Sequence, residues 1–237
     1  MKKNPYLSPN FSNKIRSKKD IKFVVIHYTG MQSEIESIKR LLDKNSKVSC
    51  HYLINRKGKI FKMVPDIKIA WHAGKSKWKE FKNLNENSIG IELVNKGHLW
   101  GFQKYTTSQI KSLINLCKKL KKTYKIKNSN FLGHSDISPT RKIDPGEKFP
   151  WKKLANYNLC KWHKLSEKKI MKCRNLKVNK SEKKLFFNNL RIIGYLKLSK
   201  KNEKSLINAF QRRFRQDLIN GKIDKECLLI SKNLLKS

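Results

Sequence analysis

Apolar residues recur along this chain with two periods, and the switches between them lay out its elements. Lys22 to His27 is an apolar run that ends in a histidine, the pattern of a buried central strand. Ser33 and Glu36 form a capping-box pattern ahead of Ile35, Ile38, Leu41 and Leu42 at helical spacing. Tyr52-Leu53-Ile54 and Ile60 to Val64 flank Arg56-Lys57-Gly58-Lys59, which predicts a hairpin with glycine in its turn. In Ile89 to Val94 the residues Ile89, Ile91 and Leu93 share one face and Glu92 points to the other. Thr106 and Gln109 predict a second capping box, after which Ile110, Leu113, Ile114, Cys117 and Leu120 line one side of a long helix. Asn130 to Gly133 reads as a short strand that delivers His134.

Strands mixed with helices in this way predict an α/β domain with a mixed central sheet flanked by helices over residues 21–158. Residues 1–20 are polar, contain Pro5 and Pro9, and read as a strap or loose arm. Residues 159–180 are lysine-rich with little periodicity and read as a linker. Three short apolar-periodic segments follow, near 182–193, 204–218 and 224–235. Asn220-Gly221 is a turn signal between the last two, and Asp224 is an N-cap candidate. They predict a small C-terminal three-helix domain over 181–237. No internal repeat is visible.

Composition narrows the function classes. Hydrophobic residues at 38% and aromatics at 10% supply a packed core and argue against disorder. No apolar run reaches the length of a membrane span. Met1-Lys2-Lys3 is followed by no continuous apolar stretch, so a cleaved export peptide is not expected. The five cysteines show no CxxC spacing and suit free thiols in a reducing compartment, which sets a cytoplasmic expectation. The net charge of +39 attracts the chain to anionic surfaces at low salt. Its lysines are spread along the whole length and form no stripe, so specific nucleic-acid binding is not expected.

Five residues carry candidate chemistry: His27 at a strand end, Glu92, His134 after Gly133, Lys142, and Asp144 before Pro145-Gly146. Each has a bland explanation when taken alone. A lone histidine is commonly a satisfied residue, an aspartate before Pro-Gly a turn former, Glu92 an outward-facing carboxylate, and Lys142 one surface lysine among many. The separations, 107 residues from His27 to His134 and ten from His134 to Asp144, do not form a metal signature of the helical HExxH kind.

Five blocks taken in order change those odds. His27-Tyr28-Thr29-Gly30, Ser49-Cys50-His51-Tyr52-Leu53-Ile54, Ala70-Trp71-His72-Ala73-Gly74 and Asn87-Ser88-Ile89-Gly90-Ile91-Glu92 come first. Gly133-His134-Ser135-Asp136-Ile137 follows, with Arg141-Lys142-Ile143-Asp144-Pro145-Gly146. Together they resemble the zinc-dependent N-acetylmuramoyl-L-alanine amidases of the AmpD/AmiD type over roughly residues 5 to 155. The resemblance implies one zinc ion on His27, His134 and Asp144, with a fourth position open for water. It implies Glu92 as the acid/base residue and Lys142 as the cation facing the developing oxyanion. Tyr28, His51, Trp71 and His72 either line a substrate groove or pack near the metal. A fourth protein ligand would close the open position, so neither His51 nor His72 is expected to be one. Cys50 reads as a small buried apolar group, and His98 and His163 carry no motif.

The C-terminal segments Ile193-Gly194-Tyr195, Ala209 to Phe214 and Asn220 to Asp224 are similar to the type 1 peptidoglycan-binding domain. Phe210 and Phe214, four apart, read as core. The resemblance implies an enzyme acting on peptidoglycan or muropeptides, and a monomer is expected. The rival readings are a non-catalytic peptidoglycan-recognition protein and a basic nucleic-acid binder motivated by charge alone.

Overall fold

A computed structural model describes residues 5–236. Residues 1–4 of the N-terminal arm and Ser237 lie outside the described residues.

The elements that the apolar periods predict appear in that order, among further short strands and helices that no period announces. Strand β1 spans Phe11–Ile15, β2 Phe23–Tyr28, and helix α1 Glu34–Leu42. Strands β3 (Tyr52–Ile54), β4 (Ile60–Lys62) and β5 (Lys68–Ala70) follow. A short ribbon, β6 (Lys77–Trp78) and β7 (Phe81–Lys82), precedes β8 (Ser88–Leu93) and helix α2 (Thr107–Tyr124). Next come β9 (Phe131–Gly133), α3 (His134–Ile137), α4 (Trp151–Asn156) and α5 (Glu167–Met171). The last three helices are α6 (Lys180–Ile193), α7 (Glu203–Phe214) and α8 (Lys225–Leu235).

The central sheet has the order β4-β3-β8-β2-β9 and is mixed, as expected. Its last four strands run parallel, and β4 pairs antiparallel with β3 as the predicted hairpin. Gly58 takes φ +85° in that turn, and a Cβ there would come within 2.7 Å of the Ser108 carbonyl. Side-chain alternation on the inner strands decides what each face meets. Val24, Ile26, Ile89, Ile91 and Leu93 pack on α2 and α4. Phe23, Val25 and Leu132 face the opposite way, into a core completed by α6, α7 and α8.

The caps follow the sequence with one change. Ser33 and Glu36 make the reciprocal capping box. The Thr106 hydroxyl accepts from the Gln109 amide, but the Gln109 side chain does not return the bond. It is fully buried and donates to the Ile54 and Val94 carbonyls, fastening α2 to the sheet.

Two segments read as loose are packed. The described part of the N-terminal arm is a fixed strap: β1 pairs antiparallel with β5, and the buried Arg16 guanidinium donates to the carbonyls of Asp66, Asn85 and Glu86. Its sequence gave no sign of this, because the partners are backbone oxygens fifty and more residues away. The stretch expected as a linker carries α5, buries Ile170 and ties Arg174 to Glu226 of α8 by two bonds of 2.7 and 2.9 Å.

The C-terminal helices match the three predicted segments, except that α7 stops at Phe214. There the Arg215 guanidinium turns inward to Asp224, itself the N-cap of α8. Phe210 and Phe214 are core residues, and Cys50 is fully buried, as expected. Among the described residues no helix is long and apolar enough to cross a membrane.

Candidate metal centre and active site

The parallel strands end at one edge of the sheet, where ligands commonly bind in α/β folds. His27 stands near the end of β2, directly beside Glu92 of β8 in the parallel register, so both side chains leave the same face. The neighbouring β9 runs into α3, whose first residue is His134. The loop after α3 returns with Asp144, held by the Ser135 N–H donating to the Asp144 carbonyl at 2.9 Å. Gly133 permits this return, since a Cβ there would meet Pro145 at 2.8 Å and Trp151 at 3.2 Å.

His27, His134 and Asp144 converge, all buried. His27 Nδ1 lies 2.9 Å from His134 Nδ1, and the Asp144 Oδ2 lies 3.1 and 3.2 Å from the two. The hydrogen bonds behind the rings assign their tautomers. His134 Nε2–H donates to the Ala73 carbonyl at 3.1 Å, which leaves Nδ1 a bare lone pair. The Ser88 hydroxyl donates to the Leu84 carbonyl and so accepts from His72 Nε2–H. His72 Nδ1 is then an acceptor, taking the His27 Nε2–H at 3.0 Å and leaving His27 Nδ1 bare as well.

Two imidazole lone pairs and a carboxylate oxygen thus face one another without a proton between them, an arrangement that repels unless a cation joins it. Tetrahedral zinc with ligands at about 2.0–2.2 Å needs donor atoms about 3.3 Å apart, close to what is seen. The donor set fits such an ion. Burial also pushes His27 down to about 4, helped by the neighbouring His134, so its imidazole is neutral at physiological pH.

Glu92 is the odd carboxylate. Burial, and next Asp144, push it up to about 8, while Lys142 pulls it back. Its Oε2 is buried without a hydrogen-bond partner among the described residues. A carboxyl left unsatisfied beside a metal site has its hydrogen-bonding capacity free for a water or a substrate. Lys142 is half-buried and lines the same cleft of ≈ 570 Å³ as Glu92 and the three converging residues. All five residues singled out in the sequence are therefore brought together.

Among the residues left open, Tyr28, Trp71 and His72 line the cleft. His51 instead lies beneath it as a structural residue, accepting the Gly90 N–H at Nδ1. What sequence reasoning missed is His72 as the partner that fixes His27. The available signal was Gly90 inside a buried strand: a Cβ there would come within 2.4 Å of the His72 ring. The reading also missed one wall of the cleft, where His98 accepts or donates to Tyr28 Oη and Glu147, each at 3.0 Å, and stacks on Phe102.

With this geometry in view, comparison with known proteins is specific. Residues 17–147 match the family model described as N-acetylmuramoyl-L-alanine amidase. N-acetylmuramoyl-L-alanine amidase AmiD of Escherichia coli is 35% identical over 233 residues, covering 91% of this chain and 83% of that protein. The 1,6-anhydro-N-acetylmuramyl-L-alanine amidase AmpD of Haemophilus influenzae is 35% identical over 167 residues, 63% of this chain and 88% of that one. The solved complex of the E. coli AmiD with anhydro-N-acetylmuramic acid-L-Ala-D-gamma-Glu-L-Lys superposes with a TM-score of 0.80 at 34% identity, covering 95% of this chain and 91% of that one. AmpDh3 of Pseudomonas aeruginosa gives 0.80 at 30% identity over 100% of this chain and 97% of the other.

Proposed function

The chain belongs to the N-acetylmuramoyl-L-alanine amidase family, and from that premise we propose that it cleaves the amide between the lactyl group of N-acetylmuramic acid and L-alanine in muropeptides or peptidoglycan. The observation that carries the reading is the triad of unprotonated donors with an unpartnered carboxyl beside it.

His27, His134 and Asp144 would hold a single zinc ion through Nδ1, Nδ1 and Oδ2. When bound, zinc supplies Lewis-acid polarisation of the scissile carbonyl and acidifies water. The protein's own groups do the rest. Glu92 accepts the proton of the attacking water on a carboxylate oxygen and returns it to the alanine nitrogen as the C–N bond breaks. Its raised affinity for protons suits both halves of that task. Lys142 sets a fixed positive charge at the cleft, where the carbonyl oxygen gathers negative charge. His72 keeps His27 in the tautomer that presents Nδ1.

The domain assignment proposed is a catalytic domain over 21–158 and a peptidoglycan-binding module over 181–237, joined by the packed segment 159–180. The five free thiols suit a reducing compartment, which puts soluble muropeptides ahead of intact wall as substrate and the cytoplasm ahead of the wall as location.

The test is metal content together with mass-spectrometric product analysis on a defined muropeptide, for the wild type, Glu92→Ala and His134→Ala. A peptide-free N-acetylmuramic acid sugar and an intact stem peptide beginning with L-alanine are expected from the wild type alone. Zinc is expected in the wild type and Glu92→Ala but not in His134→Ala. Binding of muropeptide with no release of peptide under any metal condition would instead identify a recognition protein.

A further inference from the structure

The helix turn that presents His134 is held from below by the C-terminal module. Asp136 lies two residues along that turn and is buried. Its Oδ2 accepts the Gly133 N–H at 2.8 Å, closing the turn whose first residue is His134. Two side chains of the C-terminal module grip the same carboxylate: Tyr195 Oη donates to Oδ1 at 2.6 Å, and Arg213 Nη1 forms an ion pair with Oδ2. Arg213 Nη2 also donates to the Phe131 carbonyl in β9 at 3.0 Å. The guanidinium lies over the Trp151 ring, 4.3 Å from its centroid. Trp151 in turn abuts Gly133, which abuts Pro145, the residue after Asp144. One arginine of α7 therefore touches the strand that leads into one candidate ligand, the turn that carries it, and the ring beside Gly133.

We propose that Arg213 and Tyr195 are positioning residues of the metal centre, so that the C-terminal module sets the geometry of His134 in addition to any contact it makes with substrate. The proposal rests on the amidase reading for its zinc and activity readouts, and the amide-exchange readout stands apart from it. The module is continuous with the catalytic core, sharing Phe23, Val25 and Leu132 of the sheet with Phe186, Leu190 and Phe210 of its own helices. The Lys79 N–H in the β6–β7 turn donates to the Gly194 carbonyl at 2.8 Å, and Trp78 packs on Tyr195. A tether would need none of these contacts.

The experiment uses the full-length protein. Zinc affinity is measured by competition with a chromophoric chelator, and backbone amide exchange is followed over residues 131–138. The variants are Arg213→Met, Arg213→Lys and Tyr195→Phe, with Arg215→Met as a control for stability, since Arg215 serves another buried ion pair with no link to Asp136. Expected for Arg213→Met are a zinc affinity about tenfold weaker or more, faster exchange over 133–137, and a fall in kcat with KM little changed. Tyr195→Phe is expected to move the same way by less, and Arg213→Lys to recover part of the loss. Arg215→Met is expected to lower the melting temperature yet keep the zinc affinity.

Wild-type zinc affinity and exchange in folded Arg213→Met would overturn the proposal. So would an equal loss of zinc affinity in Arg215→Met, which would make the effect one of general stability. Should Arg213→Met fail to fold, Tyr195→Phe carries the test, because it removes one oxygen; unchanged affinity and exchange there overturn the proposal equally. If the wild type takes up no zinc, the amidase reading falls while the exchange comparison still decides the clamp.

Discussion

Two clusters of buried polar groups in this molecule obey opposite rules. Near α8, Arg215 is paired with Asp224, and Glu226 accepts two bonds from Arg174, so each carboxylate meets a guanidinium. In the cleft, His27, His134 and Asp144 turn lone pairs toward one another, and Glu92 keeps an oxygen with no partner among the described residues. In the first cluster every carboxylate finds its cation on folding, and the Arg215 Nε alone is left without a hydrogen-bond partner among the described residues. The second is complete only when something enters, and such unmet capacity is the physical mark of a site. The Asp136 pair stands between them: a carboxylate matched to a guanidinium on the turn that carries one of the converging groups.

The contrast can be broken most sharply at the centre. His134→Ala is expected to abolish both zinc uptake and turnover. Glu92→Ala should retain zinc and lose about 10²- to 10⁴-fold in kcat, the range for a general acid–base group; metal analysis beside steady-state kinetics separates the two. A Glu92→Ala enzyme with near-normal turnover would remove Glu92 from the chemistry.

In the paired cluster the same size of perturbation should appear as stability. Arg215→Met leaves Asp224 buried without its cation and is expected to cost about 3–5 kcal/mol, read from denaturant unfolding. Zinc content is expected to be unchanged, and loss of zinc would blur the distinction drawn here.

A smaller effect is expected behind the ligands. His72→Leu removes the acceptor of the His27 Nε2–H, which frees that ring to adopt the other tautomer. Zinc affinity should fall about 10- to 100-fold with the fold intact. An affinity equal to wild type would show that packing alone orients His27.

The smallest effect concerns pH. The Glu92 carboxyl is raised from 4.5 to about 8 in the folded chain. A raised carboxyl pKa favours the fold fully below the unfolded value, and that contribution is lost as pH rises through the folded one. Between about pH 4.5 and 8 the metal-free wild type should therefore lose stability relative to Glu92→Gln, because the buried His27, His51 and His72, whose pKa values are lowered by burial, titrate in both proteins. The difference in melting temperature at pH 8 is expected at roughly 2–4 °C per kcal/mol recovered. Parallel pH profiles for the two proteins would show that Glu92 is not desolvated.

The fold was legible wherever burial is periodic. Ile110 to Leu120 announce α2, and Val24, Val25 and Ile26 announce a strand covered on both sides. The ribbon β6–β7 escaped because two-residue strands are shorter than any period. The strap and the supposed linker were misread because Arg16 and Arg174 look like solvent-facing charges until their distant partners arrive. The five singled-out residues come together in one cleft, and they could be singled out only because their surrounding blocks resemble a family. Taken singly, His27 and His51 end or precede strands in much the same way, yet one points to the cleft and the other lies under it.

What the sequence determined by itself is the set of elements and the chemical types placed at their ends, since hydrophobic period and caps act between near neighbours. The tertiary structure alone decided which nitrogen of each histidine carries the proton, which carboxylate is paired and which is left wanting, and that Arg213 and Tyr195 reach the turn that carries His134. Those outcomes depend on hydrogen bonds spanning 45 residues from His27 to His72 and 77 from Asp136 to Arg213. Partners that far apart are chosen by packing in three dimensions, and no local pattern records the choice.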